Sequence, residues 1–97
     1  MRIIARKTLK AFWARYPEAE QPLKAWFKLA SESDWKSPQD IKAVYRNATI
    51  LQDSRVVFNI AGNKYRLVVW INYFYATAYV RFTGTHKQYD QTDAQTV

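Results

Sequence analysis

The sequence contains no cysteine, which excludes disulfide bonds, cysteine-based zinc sites and a thiol nucleophile. Histidine occurs once, at His86, and no cluster of carboxylates accompanies it, so we predict neither a metal ion nor a cofactor. With only two glycines, the chain also lacks a phosphate-cradling glycine loop and a dinucleotide-binding fingerprint. The enzyme classes that these motifs define are therefore not expected.

Long hydrophobic runs are absent as well. Residues 1–16 lack the uninterrupted apolar stretch and the small-residue cleavage site of a signal peptide, and no other run approaches membrane-spanning length. The lack of cysteine fits a reducing compartment. We therefore predict a cytoplasmic protein that does not enter a membrane.

What the chain does contain is apolar and basic. Hydrophobic residues make up 48% of its 97 residues and aromatic residues 16%, enough for the modest core of one domain, residues 1–97. Fifteen Lys and Arg against eight Asp and Glu leave a formal net charge of +7. This excess favours a polyanionic partner, which is nucleic acid, an acidic protein, or both.

The segment from Val56 to Asp90 predicts three antiparallel strands. Gly62-Asn63 lies between two apolar-rich runs and supplies the positive φ angles of a two-residue hairpin turn, which sets Asn59 opposite Arg66. One sheet face is then apolar, with Val56, Phe58, Ile60, Leu67, Val69, Ile71, Ala76, Ala78, Val80 and Phe82. The opposite face carries Asn59, Lys64, Arg66, Val68, Trp70, Thr77, Tyr79, Arg81 and Thr83.

A second turn is expected near Tyr73-Phe74, and a two-residue loop there places Arg66 directly opposite Arg81. Like charges in such a pair destabilise a sheet, by up to roughly 1 kcal/mol. Two converging guanidinium groups could bind one phosphate, and such a site would explain why the sequence tolerates the repulsion between them. The alternative is two solvated arginines on an exposed face, and the spacing alone does not decide between them.

Three helices are predicted before the sheet. Thr8 is a suitable N-cap for a first helix over 9–16, Pro22 fits the first position of a second helix that ends near Ser33, and Ser37-Pro38 opens a third. Residues 2–5 and 49–51 are candidate short strands. We expect an α+β fold with the N-terminal helices packed on one face of a small, mainly antiparallel sheet. Residues 91–97 offer no apolar face and are expected to be frayed.

The segment after the third strand contains the candidate catalytic residues. Its sequence is Thr85-His86-Lys87-Gln88-Tyr89-Asp90. His86 and Tyr89 are three residues apart and share a side if this turn is helical. RNA is cut without metal when a base takes the ribose 2′-hydroxyl proton, the oxygen attacks the phosphate, and an acid protonates the leaving oxygen. His86 or Tyr89 could move the protons, while positive charge comes from Lys64, Arg66, Arg81 and Lys87.

Two stretches, VVFNIAGNKYRLVV and RFTGTHKQYD, resemble the HigB family of toxins from type II toxin–antitoxin pairs, a branch of the RelE-like superfamily. The resemblance covers nearly the whole chain. It implies a RelE-like α+β fold and an endoribonuclease that cleaves mRNA, commonly on the translating ribosome. It also implies a helix-turn-helix antitoxin that neutralises the toxin and carries the complex to operator DNA.

Carried over residue by residue, the GNKYRL motif falls on Gly62 to Leu67, and the THxxYD motif falls on Thr85, His86, Tyr89 and Asp90. The predicted catalytic residues are His86, Tyr89, Arg66 and Arg81. The predicted substrate-binding residues are Lys64, Lys87, Asn59 and Asp90. We favour His86 as the principal acid–base group and Tyr89 for stacking or secondary proton transfer, while the resemblance leaves their division of labour open.

Two other functions are compatible with the same residues. The related ParE-like toxins share this architecture and inhibit a topoisomerase without cutting RNA. A single-stranded nucleic-acid binder would instead use Trp70 and Tyr79 as stacking platforms beside the arginines. The position of His86 and Tyr89 after the last strand favours RNA cleavage over both.

Overall fold

A five-stranded sheet with three helices on one face forms the molecule, as described by a computed structural model covering all 97 residues. The elements in chain order are β1 (Arg2–Ile4), α1 (Arg6–Arg15), a 3-10 turn (Pro17–Ala19), α2 (Glu20–Glu32), α3 (Pro38–Val44), β2 (Thr49–Ile50), β3 (Arg55–Ile60), β4 (Tyr65–Asn72), β5 (Thr77–Thr85) and α4 (His86–Asp90). The strand order is β1-β5-β4-β3-β2, with β1 parallel to β5 and all other pairs antiparallel. The predicted α+β fold is confirmed.

The β3–β4 hairpin has the predicted register, with Asn59 opposite Arg66. Its loop is longer than expected, because the strands end at Ile60 and resume at Tyr65. Positive φ angles occur at Ala61 (54°) and Gly62 (68°) and not at Asn63. The Gly-Asn pair therefore supplies only one of the two left-handed residues, and the turn spans four residues.

The predicted pairing of Arg66 with Arg81 is wrong. The β4–β5 turn contains four residues, so Asn72 pairs with Thr77, and Arg66 lies opposite Gly84. A β-bulge adds a further shift: Val69 pairs with Val80 and Val68 with Phe82, which leaves Arg81 as an extra residue without a partner in β4. The two arginines are separated along the sheet by about 10 Å, three residues at 3.3 Å each.

The helix-covered face holds the main core. Trp26 of α2 meets the ring of Phe58 at 5.4 Å, and Leu9, Leu23 and Ile41 are fully buried. The sheet contributes the predicted apolar row of Val56, Phe58, Ile60, Leu67, Val69, Ile71 and Ala78, with Val80 packed beside it. Of the residues assigned to this face, Ala76 lies instead in the turn with φ 51°, and the bulge turns Phe82 to the other face.

The second sheet face is covered in its middle by the C-terminal residues. Val57, Val68 and Ala94 form a small buried cluster against which Phe82 and Tyr89 pack. The carbonyl oxygen of Val97 accepts hydrogen bonds from the Arg55 guanidinium at 3.1 and 3.2 Å. This differs from the frayed tail that we expected for residues 91–97, because Val68 is an apolar residue on this face and Ala94 covers it.

The helix starts differ in part from the prediction. Ala5, not Thr8, is the N-cap of α1, and α2 begins two residues before Pro22. Ser37 is the N-cap of α3 with Pro38 at its first position, as predicted, although the Ser37 hydroxyl makes no capping hydrogen bond. None of the helices combines the length and the apolar character needed to cross a membrane.

Candidate active site

The short helix α4 is held at the end of β5 by a reciprocal capping box. The Thr85 hydroxyl accepts from the backbone N–H of Gln88 at 3.1 Å, and the Gln88 side-chain oxygen accepts from the N–H of Thr85 at 2.9 Å. The N–H of His86 also donates to the carbonyl of Lys64 at 3.0 Å. A five-residue helix has little stability of its own, so these bonds fix where its side chains point.

His86 and Asp90 form a pair on the exposed side of α4. The imidazole Nδ1 lies 3.0 Å from the Asp90 Oδ2, one helical turn away. A carboxylate can accept from an N–H at Nδ1, and an imidazole in that tautomer has a lone pair on Nε2. Both side chains are about half exposed, at 52% and 59%. His86 is therefore a candidate base with a carboxylate beside it.

Arg66 of β4 and Tyr89 of α4 are in contact. The Arg66 guanidinium lies 5.9 Å from the centre of the Tyr89 ring and donates to the carbonyls of Asn63 and Tyr65 at 2.9 and 3.2 Å. The other neighbour of the Tyr89 ring is Phe82, at a centroid distance of 6.5 Å. Arg66 is therefore held in place by the hairpin backbone, with an aromatic ring against it and its charge uncompensated by any carboxylate.

Gly84 makes room for this arrangement. It lies opposite Arg66 in the sheet, and a Cβ atom there would meet the Cζ of Phe82 at 2.5 Å and the Oε1 of Gln88 at 2.9 Å. Real Cβ atoms do not approach other atoms this closely. The absence of a side chain at Gly84 thus lets Phe82 support Tyr89 while Gln88 closes the capping box.

Lys64 is engaged away from the His86–Asp90 pair. Its ammonium group lies 2.8 Å from the carboxylate of Glu18. The hydrogen bond and the charge of Glu18 raise the pKa of Lys64, and the same contact lowers the pKa of Glu18. The backbone of Lys64 thus supports His86 while its side chain is paired elsewhere.

The remaining predicted residues fall into two groups. Asn59 is half-buried opposite Arg66, and Lys87 is exposed on α4, so both lie at the same end of the sheet as His86. Arg81 is separate: its guanidinium points to the carbonyl of Val97 at 3.5 Å. Nowhere do three His, Asp or Glu side chains lie close enough together to hold a metal ion.

Three features of the site escaped the sequence analysis. The capping box has a readable signature, Thr85 followed three residues later by Gln88, and the four-residue spacing of His86 and Asp90 is that of one helix face. The contact between Glu18 and Lys64 joins residues 46 positions apart and leaves no local signal.

Comparison with known proteins agrees with this geometry. Residues 19–92 match the HigB toxin family, described as the RelE-like toxic component of a toxin–antitoxin system. The chain is 32% identical over 92 residues to the mRNA interferase toxin HigB of Escherichia coli strain K12, covering 93% of this chain and 88% of that protein. The same identity and coverage relate it to the mRNA interferase HigB of Shigella flexneri. A second Escherichia coli protein of that name, from strain CFT073, is 22% identical over 93 residues, 94% of this chain and 90% of the relative.

The family match spans most of the chain and includes β3, β4, β5 and α4. Both motifs that carry the site, GNKYRL and THKQYD, lie inside it. The capped helix with its His86–Asp90 pair, the hairpin with Arg66 and the overall similarity lead to one conclusion: the chain belongs to the HigB toxin family.

Proposed function

We propose that this protein is a toxin that cleaves mRNA as a metal-independent endoribonuclease. His86 Nε2 takes the proton of a ribose 2′-hydroxyl, and the resulting oxygen attacks the adjacent phosphorus. The bond from phosphorus to the 5′-oxygen then breaks, and that oxygen receives a proton from the Tyr89 hydroxyl or from water. The products are a 2′,3′-cyclic phosphate and a 5′-hydroxyl end.

The observation that carries the proposal is the contact between His86 and Asp90. A carboxylate on Nδ1 orients the ring and stabilises the imidazolium that forms when Nε2 takes a proton. The names of the curated relatives, mRNA interferase HigB, support the same reaction for this chain.

Arg66 and Lys87 supply the positive charge that the reaction requires. Charge develops on the non-bridging oxygens of the phosphate as the 2′-oxygen attacks, and a fixed guanidinium stabilises it without reorganisation. Arg66 suits this role because two backbone carbonyls hold it. Tyr89, with Arg66 on one side and Phe82 on the other, offers an aromatic surface on which a base can stack.

The partners follow from the family and from the charge. A toxin–antitoxin protein acts with an antitoxin, and we propose a helix-turn-helix protein that neutralises this +7 chain and brings the complex to operator DNA. We further propose that the mRNA is cut in the cytoplasm, on the translating ribosome.

The test is single-turnover cleavage of a defined mRNA, first free and then on stalled ribosomes, with analysis of the RNA ends. We expect cyclic phosphate and 5′-hydroxyl ends that appear with the wild-type protein and not with the His86→Gln variant. Growth arrest with intact mRNA would overturn the proposal in favour of a toxin that acts by binding a protein. Bound but uncut RNA in both settings would identify a nucleic-acid-binding module.

A further inference from the structure

A cavity of about 280 Å³ opens at the edge of the sheet, where β2 begins. One wall is the segment from the end of α3 to the start of β2, and the other is the outer edge of β3 with the hairpin tip. Its lining residues are Val44, Tyr45, Arg46, Asn47, Ala48, Phe58, Asn59 and Gly62. A space of this size is near the lower limit of small-molecule sites, which begin at roughly 300 Å³.

The backbone of β3 faces this cavity with unpaired groups. The carbonyl of Arg55 points toward β2, where it accepts from the backbone N–H of Leu51. The carbonyl of the preceding residue, Ser54, points toward β4, where it accepts from the backbone N–H of Ile71. Because backbone groups alternate along an antiparallel strand, Val57 and Asn59 also point toward the β2 side. Val57 meets Thr49, but β2 begins there, and no backbone hydrogen bond joins Asn59 to residues 45–48. The N–H and C=O of Asn59 are thus free to bind a ligand.

Polar side chains complete the lining. The amides of Asn47 and Asn59 take part in none of the hydrogen bonds within the protein, and Arg46 adds an exposed guanidinium. No Asp or Glu lines the cavity. Each amide presents a donor and an acceptor side by side, which is the pattern that reads the edge of a nucleobase, and the arginine suits a phosphate.

Contacts within the protein hold the walls of the cavity in place. The ammonium group of Lys42 donates to the carbonyls of Arg46 at 2.5 Å and of Ala48 at 2.9 Å, which ties the loop to α3. The Tyr45 ring packs edge-on against Phe58, with ring centroids 5.1 Å apart. Burial raises the pKa of Tyr45, so its hydroxyl stays protonated and can donate.

We propose that this cavity is a specificity site that binds one nucleobase of the RNA near the cleaved phosphate. The proposal rests on the ribonuclease function proposed above and adds the place where the sequence is read. Asn59 connects the two sites, because it lines the cavity and also lies opposite Arg66 in the sheet. Gly62 belongs to the same hairpin loop as Asn63, whose carbonyl holds Arg66. Asn59 and Gly62 thus link the cavity to the strand and the loop that position Arg66.

The first experiment compares cleavage of an RNA pool randomised around the cut by the wild type and by Asn47→Ala. We expect the variant to lose discrimination at one base position, by roughly 10-fold, as is typical for removal of an amide that reads a base edge. Gln39→Ala is the matched control, since it removes an exposed amide from the far end of α3. An Asn47→Ala variant with wild-type preference at every position would overturn the proposal.

A second measurement does not depend on catalysis. Nucleoside monophosphates are titrated into the labelled protein, and the backbone amide resonances of Asn59 and Gly62 are followed by NMR. We expect these two amides to shift with at least one nucleotide, and they would do so even if the protein cut no RNA. If the two amide resonances shift with none of the four nucleotides, the proposal is overturned. Amides that shift only with the antitoxin would also overturn it, because the cavity would then be a protein-docking site.

Discussion

Asp90 lies one helical turn from His86, with 3.0 Å between its Oδ2 and the imidazole Nδ1. The pairing predicts that His86→Gln lowers the rate of RNA cleavage by roughly 100- to 10,000-fold, the usual contribution of an acid–base group. RNA binding should change little, since proton transfer acts in the transition state. Single-turnover cleavage and anisotropy with a 2′-O-methyl RNA measure the two effects separately.

Asp90→Asn serves as the companion variant. It keeps the size of the side chain and removes the negative charge beside the imidazole, so we expect a smaller loss of rate than for His86→Gln. A wild-type rate for Asp90→Asn would show that the contact with His86 does not serve catalysis.

Arg66 and Arg81 should differ in importance, because the structure separates them. We expect Arg66→Ala to slow cleavage by roughly 100- to 1000-fold, the cost of removing one preorganised group that stabilises developing charge. Arg81→Ala should slow it by no more than about fivefold, which corresponds to the contribution of roughly 1 kcal/mol typical of an exposed charge. Equal losses in the two variants, measured with both proteins folded by circular dichroism, would contradict the separation.

Tyr89 is expected to act through its ring more than through its hydroxyl. Tyr89→Phe keeps the aromatic surface between Arg66 and Phe82, so most of the RNA affinity should be retained. Tyr89→Ala removes that surface and should weaken RNA binding by roughly 1–3 kcal/mol, the range for one stacked base. A collapse of the single-turnover rate in Tyr89→Phe would instead assign the phenol to proton transfer.

Gly84→Ala should damage the site although Gly84 touches no substrate. The new methyl group would overlap the Phe82 ring and the Gln88 side chain, and overpacking of this kind costs roughly 1–3 kcal/mol of folding stability. Cleavage should fall at temperatures where the variant is still folded, because α4 is displaced. Phe82→Leu in the same chain removes the ring and should restore part of the stability in denaturant titrations; no recovery would point to another cause.

The ion pair of Glu18 and Lys64 predicts a pH dependence of stability with two limits. The pKa of Glu18 is lower in the folded than in the unfolded state. The Glu18 carboxylate therefore contributes to folding stability above its unfolded-state pKa, and this stability is lost as the pH falls through its folded-state pKa. The pKa of Lys64 is higher in the folded than in the unfolded state. The Lys64 ammonium group therefore contributes its full share of folding stability below its unfolded-state pKa, and this stability is lost as the pH rises through its folded-state pKa. The melting temperatures of wild type and Glu18→Gln should therefore differ between these limits and converge in acid.

The same substitution should also affect RNA binding. Glu18→Gln releases the Lys64 ammonium, which can then contact a phosphate. One additional phosphate contact steepens the dependence of log K on log salt by about 0.7 for single-stranded RNA. The double variant Glu18→Gln with Lys64→Gln is the control, and it should lose the steeper slope. An unchanged slope in Glu18→Gln would mean that Lys64 does not reach the RNA.

The register of the first hairpin could be predicted and that of the second could not, for reasons that lie in their turns. Gly62 is marked in the sequence by its freedom to take a positive φ angle, and the apolar alternation on both sides sets the register. In the second turn, Tyr73 to Ala76, the Phe74 and Tyr75 side chains are exposed, and the Asn72 side-chain oxygen accepts from the N–H of Tyr75 at 3.0 Å. Because these four residues include no Gly, Pro, Asn or Asp, the loop length has no clear signal within the turn itself. The misplaced Arg81 follows from that.

The positions of the candidate residues could be predicted where they depend on local spacing. His86, Tyr89 and Asp90 lie on one short helix, and Arg66 is positioned by the hairpin, so both groups could be named from the sequence. The packing of Ala94 on the second sheet face could not be predicted, because one alanine in a polar tail is a weak signal. The residue that it covers, Val68, was visible in the sequence as an apolar residue among the polar ones of that face.

The bulge gives β5 a tolerance to changes in length. Arg81 has no place in the ladder, so its deletion would leave every pair from Asn72–Thr77 to Tyr65–Thr85 intact, with Phe82 and Gly84 on their present faces. An ordinary strand lacks this reserve, because loss of one residue exchanges the two faces for everything beyond it. The distance in sequence between the core and α4 can thus vary by one residue without moving His86 to the wrong side of the sheet.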